Sequence, residues 1–330
     1  MRMDGRRESG NVEDRRGQRA SLGGTTGGGL NIVALLLQLF MSKKANASGG
    51  GNQKGGCGMS GIVVLLLVGV VLYFLMGSGG GCSDIIGNLP LQQGGGFLTE
   101  SAEGGNYTGT DEEEALRLFS SQILASTEDV WTKLFRQQGL TYQAPKMVIY
   151  SGSVQSGCGN ATSDTGPFYC SGDQTVYIDL SFFMNMKRTI GEGGDFAFAY
   201  VIAHEVGHHV QYLLGTLQEG HQQMNRLGRG SAEANKVSVR LELQADFYAG
   251  VWAHHEGKMF NSIEDGDIEE ALHAASLIGD DYLQKKARGV EYPETFNHGR
   301  SAQRNKWLKK GINSGDMSLG NTFSIRYEDL

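Results

Sequence analysis

Two histidines and a glutamate stand at H-E-x-x-H spacing in "YVIAHEVGHHVQYLLG", Tyr200 to Gly215. The surrounding run is apolar, and polar groups buried in such a run are costly without partners. On a helix turning about 100° per residue, His204 and His208 lie roughly 40° apart, one turn along the same face. His209 lies roughly 140° from His204, so it reads as a bystander or as support for the pair. Glu205 is one step round from His204, within reach of a water on any metal that the two histidines hold. This is the pattern of two zinc ligands and a general base. A catalytic zinc takes three protein ligands and keeps one position open, so one more ligand is required.

"VSVRLELQADFYAGVWAHH" supplies a candidate. Glu242 and Asp246 stand one turn apart on a helix that is otherwise largely small or apolar, where carboxylates need a task. Glu242 is the expected third ligand. Asp246 is expected to accept the ring N–H of a ligating histidine and so fix its tautomer. His254 and His255 are rival ligands, but they sit at the polar helix end "AHHEGK".

The elements that carry these groups follow from pattern and punctuation. Thr110 and Glu113 make a capping box before one long helix or two short ones, stopped by Gly139. "KMVIY" (146–150) and "QTVYIDLSFF" (174–183) are β-rich, and the second alternates as a half-buried strand does. Helices are expected over Asp195–Gly215 with Asp195 as N-cap, Ser231–Glu256, Asp267–Lys286 and Ser301–Lys310, the last ended by Gly311. The order of helix, short strands and then helices predicts an α+β domain, mostly helical with a small β-sheet.

Between the two strands lies "SGCGNATSDTGPFYC". No CxxC pair is present, which argues against a zinc ribbon. A Cys158–Cys170 disulfide closing this loop fits an oxidising compartment and is worth roughly 3 kcal/mol by loop-closure entropy.

Composition divides the chain. Of its 330 residues 50 are glycine, and 27 of these fall in the first 110 positions. Residues 1–77 carry 9 basic and 4 acidic side chains, whereas the rest carries 20 and 32. So acidic a body argues against a nucleic-acid partner. "GIVVLLLVGVVLYFLMG", Gly61 to Gly77, is uncharged over 17 residues, the short end of a bilayer span. We expect an uncleaved signal anchor there, a single-span transmembrane helix. The Arg-rich head (Arg2, Arg6, Arg7, Arg15, Arg16, Arg19) would stay cytoplasmic and the body would face outward. The 12-residue run Leu30–Met41 is too short to be counted as a span. The expected organisation is a cytoplasmic head (1–60), an anchor (61–77), a Gly-rich linker (78–109), a zinc domain (110–315) and a tail (316–330).

"HEVGHH" followed by "ELQAD" resembles the Glu-zincin arrangement H-E-x-x-H…E-x-x-x-D. The text from "GRRESGNVEDRRG" through "GPFYC…QTVYIDLSFF" and "DFAFAYVIAHEVGHHVQ" to "LELQADFYAGVWAH" is similar to the bacterial neutral zinc metallopeptidase family. Members usually have Pro after the second loop cysteine and Cys after the Asp of E-x-x-x-D; this chain has Ser171 and Phe247. The resemblance implies a zincin-like fold and one Zn2+ held by His204, His208 and Glu242. It also implies a membrane-anchored endopeptidase of the bacterial inner membrane, with its catalytic domain on the periplasmic or extracellular side. By likeness to membrane-linked Glu-zincins, His298 would stabilise the oxyanion with Arg304 in support. "QTVYIDL" would be the edge strand that pairs with an extended substrate. Two other readings compete: a proteolytically inactive, zinc-stabilised envelope scaffold, and a zinc hydrolase of non-peptide substrates.

Overall fold

Four consecutive acidic residues, Asp111 to Glu114, open the helix α1 (Asp111–Gln137), where they complement the positive end of its dipole. Thr110 accepts from the Glu113 N–H while the Glu113 side chain accepts from the Thr110 N–H, which is the expected capping box. Gly139, at φ 72°, stops the helix. α1 is one unbroken helix. The computed structural model describes residues 1–18, 109–190 and 194–330.

Strands β1 (Val12–Asp14), β2 (Lys146–Tyr150), β5 (Phe168–Cys170) and β6 (Thr175–Asp179) form one sheet in the order β1-β2-β6-β5. The first three strands of that order are parallel, and β5 runs antiparallel to β6 as the free edge. β3 (Ser153–Ser156) and β4 (Gly159–Thr162) form a separate hairpin. It covers one face of the sheet through Val154 and Ala161, which pack with Val148, Tyr150 and Tyr177. The other face meets the helical core. For that reason all five β6 residues are buried, where alternation in the sequence suggested a half-buried strand. The strand ends at Asp179, and "LSFF" starts α2 (Leu180–Ile190). β6 is therefore interior, and among the described residues the edge strands are β1 and β5.

α3 (Asp195–Leu213) runs through the centre, buried without a break from Phe196 to Gly207. Its N-cap is Gly194; Asp195 is the first helical residue and makes no side-chain cap. α4 (Thr216–Leu227) follows after Gly215 and was not expected. α5 (Ala232–Phe260), capped by Ser231, packs along α3. Their backbones touch at Gly207: a Cβ there would lie 2.9 Å from the Ala245 carbonyl oxygen. Only glycine allows this approach, which brings the His204 face against the Glu242 face.

The helix expected over Asp267–Lys286 is broken into α6 (Asp267–Leu277) and α7 (Asp280–Arg288). The break at Ile278–Gly279 turns Asp280 toward the backbone of 297–299. α8 (Ser301–Ser314) runs through Gly311 instead of stopping there. Gly311 faces Gly250 of α5, and a Cβ on it would run into the Phe247 carbonyl, so this glycine serves packing and not termination.

The Arg-rich head is the largest correction. Residues 1–18 belong to the body. β1 hydrogen-bonds β2 in register Val12↔Met147, Glu13↔Val148, Asp14↔Ile149. Arg6 donates to the fully buried Glu256 at 2.7 Å, and Glu256 also accepts from Ser126 and Ser262. Arg7 pairs with Glu128 and Asp129, and Arg16 with Asp14 and Glu114. A head held by a single crossing on the far side of a membrane could not make this strand pair. Both apolar runs, Leu30–Met41 and Gly61–Gly77, lie outside the described residues, as does the linker. Among the described residues no helix is long and apolar enough to cross a membrane.

Candidate metal centre

His204 and His208 project from α3 with ring centroids 4.9 Å apart and planes nearly perpendicular. Each ring is held through Nδ1. His204 Nδ1–H donates to Asp246 Oδ1 at 2.8 Å, and His208 Nδ1–H donates to Gln211 Oε1 at 2.9 Å. Both Nε2 atoms are thereby aimed at the Glu242 carboxylate on α5. His204 Nε2 lies 3.2 Å from Oε2, and His208 Nε2 lies 3.5 Å from Oε1. The three ligand atoms all lie within 4.8 Å of one another.

This spacing fits an ion. Zinc bonds of about 2.0–2.1 Å at tetrahedral angles place neighbouring ligand atoms about 3.3–3.4 Å apart. The donor set, two imidazole nitrogens and one carboxylate, is one that zinc favours. Charge agrees with geometry. Burial opposes charge on His204, but Asp246 and Glu242 outweigh it and push its pKa up to about 10. Burial also opposes charge on Glu242, yet His208 and His204 hold it well below the usual carboxylate range. The pocket is built to hold positive charge.

Asp246 anchors a second layer. Its Oδ1 accepts from the Tyr200 hydroxyl at 2.6 Å, His204 Nδ1 at 2.8 Å and Arg304 Nη2 at 2.9 Å; its Oδ2 accepts from Arg304 Nε at 2.8 Å. Burial would raise the Asp246 pKa, but Arg304 and His204 lower it. Arg304, nearly fully buried on α8, thus clamps the carboxylate that orients His204. Gln211 does the same for His208, and is itself fixed by donating to the Leu241 carbonyl and to Gln244.

Glu205 lines the adjoining cavity of about 370 Å³ together with His298, Phe168, Phe182, Leu217 and Met224. Burial raises its pKa against the pull of His204 and His208. The Tyr169 backbone N–H of the β5 edge faces it. His298 lines the same cavity, its Nδ1 3.2 Å from Asp280 Oδ1. Burial opposes its charge, but Asp280 and Glu242 raise its pKa above the ordinary value.

The structure therefore brings His204, Glu205, His208, Glu242, His298 and Arg304 to one cleft, with Asp246 buried against His204. His254 and His255 lie elsewhere: they donate to the Ile312 and Gly315 carbonyls at the end of α8. Cys158 and Cys170 are disulfide-bonded, which ties the β3–β4 turn to the end of β5. Four contributors escaped the sequence reading. Tyr200 stands one turn before His204, and Gln211 three residues after His208, so helical spacing carried a signal for both. Asp280 and Tyr169 reach the site only through the tertiary fold.

Residues 1–323 match the family described as "Putative neutral zinc metallopeptidase". The chain belongs to this family. It is 52% identical over 213 residues to "Uncharacterized protein YpfJ" of Escherichia coli K12, covering 64% of this chain and 73% of that protein. It is 41% identical over 230 residues to "Uncharacterized protein Rv2575" of Mycobacterium tuberculosis H37Rv, covering 66% and 74%. No solved structure matches it significantly.

Proposed function

We propose that this chain is a membrane-anchored, zinc-dependent endopeptidase. The observation that carries the reading is the convergence of His204, His208 and Glu242 at ion-sized spacing beside Glu205, in a cleft bordered by a free strand edge. His204, His208 and Glu242 would hold the zinc, whose chemistry would be to lower the pKa of a water molecule and polarise a substrate carbonyl. Glu205, its pKa raised by burial, takes the proton of the attacking water and passes it to the leaving amine. His298, kept protonated more readily by Asp280, donates to the oxyanion that develops on the carbonyl. Antiparallel main-chain pairing with β5 holds the substrate extended, so β5 takes the role that the sequence suggested for "QTVYIDL".

Glu205→Gln tests the mechanism. The purified variant is expected to keep one zinc per chain and to lose at least about 10²-fold in casein cleavage. Equal cleavage by the variant refutes the role of Glu205. No cleavage by either form favours an inactive scaffold or a non-peptide hydrolase.

The anchor reading takes a new form. β1 pairs with β2, and Gly109 lies against Arg16, so the described residues that flank the segment 19–108 lie close together on the body. If it enters a bilayer it crosses an even number of times. The sequence has two uncharged stretches for this, Ala20–Ser42 and Gly55–Ser83, separated by Lys43, Lys44 and Lys54. The positive-inside rule assigns that lysine loop to the cytoplasm. Head and body then share the outer face, in agreement with the Cys158–Cys170 disulfide.

A further inference from the structure

His209 follows a proposed metal ligand directly and yet faces away from the metal. It is fully buried and boxed by Tyr142, Tyr169 and Tyr212, whose ring centroids lie 5.9, 5.4 and 6.2 Å from its own. Its Nε2 lies 2.6 Å from the Gln143 carbonyl oxygen, which can only accept, so Nε2 carries the proton. In the neutral ring Nδ1 is then an acceptor, and the Tyr169 hydroxyl donates to it at 2.9 Å. Both ring nitrogens are thus spent on holding other elements: the loop between α1 and β2 on one side, the β5 edge on the other.

Tyr169 is the middle residue of β5. Its backbone N–H faces Glu205, away from β6. In a strand the N–H and C=O of one residue point the same way, so its carbonyl faces the cleft as well. A strand of three residues at a sheet edge, paired on one side only, has little of its own to fix its distance from α3. Beside the backbone N–H on Glu205, the Tyr169 hydroxyl on His209 supplies the side-chain link. We propose that His209 is a positioning residue: through Tyr169 it sets the gap between the β5 edge and the metal helix, and with it the seat of Glu205 and the width of the substrate groove. The inference rests on the endopeptidase reading for its consequence in catalysis, but not for its geometry.

Three variants test it: Tyr169→Phe, which removes only the hydroxyl; His209→Phe, which fills the box without either hydrogen bond; and His209→Gln, which keeps a donor and an acceptor. Zinc content is measured first and is expected to stay at one per chain in all three. Amide hydrogen exchange of residues 166–174 is expected to quicken about tenfold in Tyr169→Phe and His209→Phe, the size of one buried hydrogen bond, with residues 146–150 unchanged. His209→Gln is expected to restore protection. On an extended peptide the two phenylalanine variants raise KM about tenfold with a smaller fall in kcat. Unchanged exchange in Tyr169→Phe, or a glutamine variant as loose as the phenylalanine one, overturns the proposal. Should His209→Phe fail to fold, Tyr169→Phe still decides. If the wild-type chain cleaves no peptide, the endopeptidase reading fails while the exchange data still judge the role of His209.

Discussion

Asp246→Asn asks the most of the second layer. The native carboxylate accepts four hydrogen bonds, three at Oδ1 and one at Oδ2, all between 2.6 and 2.9 Å. An asparagine has one accepting oxygen. With its oxygen at the Oδ1 position, its NH2 meets the Arg304 Nε–H; flipped, the NH2 meets Tyr200, His204 and Arg304 together. Either way a buried donor faces a donor, which costs about 1–3 kcal/mol, and the Arg304 guanidinium loses its buried counter-charge. The sum falls near the roughly 3–5 kcal/mol expected when one partner of a buried ion pair is removed. Zinc affinity should fall about 10- to 100-fold, because His204 Nδ1–H then meets a weaker, neutral acceptor or, with the amide flipped, no acceptor at all. The assay is competitive zinc titration against a chromogenic chelator, with urea unfolding of the metal-free protein alongside. Two numbers are thus predicted independently. Stability lost with zinc affinity unchanged would show that Asp246 braces the fold and does not tune the ligand. An unchanged midpoint would refute the argument that Arg304 depends on it.

Further outcomes are expected elsewhere. Gly311→Ala should destabilise by about 3 kcal/mol, the upper end for overpacking, because the added carbon meets backbone of α5; thermal unfolding reads it. Arg6→Ala leaves Glu256 buried without its counter-charge and should cost about 3 kcal/mol, seen as a lower urea midpoint. Acid should release the head first. Burial opposes ionisation of Asp14, but the Arg16 guanidinium lowers its pKa, and Arg117 and Arg16 lower that of Glu114. Both folded pKa values lie below the unfolded ones, so the stabilisation is present above the unfolded values near 4 and is lost as pH falls through the folded ones. Protection of residues 1–18 from hydrogen exchange, taken relative to the intrinsic rate at each pH, should fall from pH 5 to pH 3 ahead of that of α5. For sidedness, Asp4→Cys and Lys133→Cys should react together with an impermeant maleimide on intact cells while Cys57 stays protected. Labelling of Asp4→Cys and Lys133→Cys from opposite sides would refute the even number of crossings.

The grouping at the candidate metal centre was legible because its parts obey helical arithmetic. His204 with His208, and Glu242 with Asp246, are each one turn apart, so two short strings of sequence encode two faces. What joins those faces is Gly207, whose missing side chain lets α3 and α5 touch. Periodicity is blind to that. The sheet edge was misassigned for a related reason. "QTVYIDL" has the stronger strand pattern, but strength of pattern reports burial, and the buried strand is the interior one. The edge, Phe168–Cys170, is three residues long and lies inside what reads as a cysteine loop. Gly311 misled in the same way: the residue that ends helices elsewhere is here the residue that lets two helices meet.

The head shows most plainly why charge in a sequence has no single meaning. Six arginines before apolar runs read as a topological signal when each is counted as a free cation. In the fold, Arg6, Arg7, Arg15 and Arg16 are partnered by Glu256, Glu128 with Asp129, Glu13, and Asp14 with Glu114. Ser9 and Asn11 of the same motif donate to Glu128. "GRRESGNVEDRRG" is thus a docking sequence whose acceptors lie within itself and on α1 and α5, with β1 at the side of the sheet opposite β5. Charges neutralised within a folded unit no longer hold a segment on one side of a membrane. The lysines at 43, 44 and 54 are left as the basic side chains between the two uncharged stretches. In the proposed topology, counting only those reverses the expected placement of the head and puts it on the same side as the body.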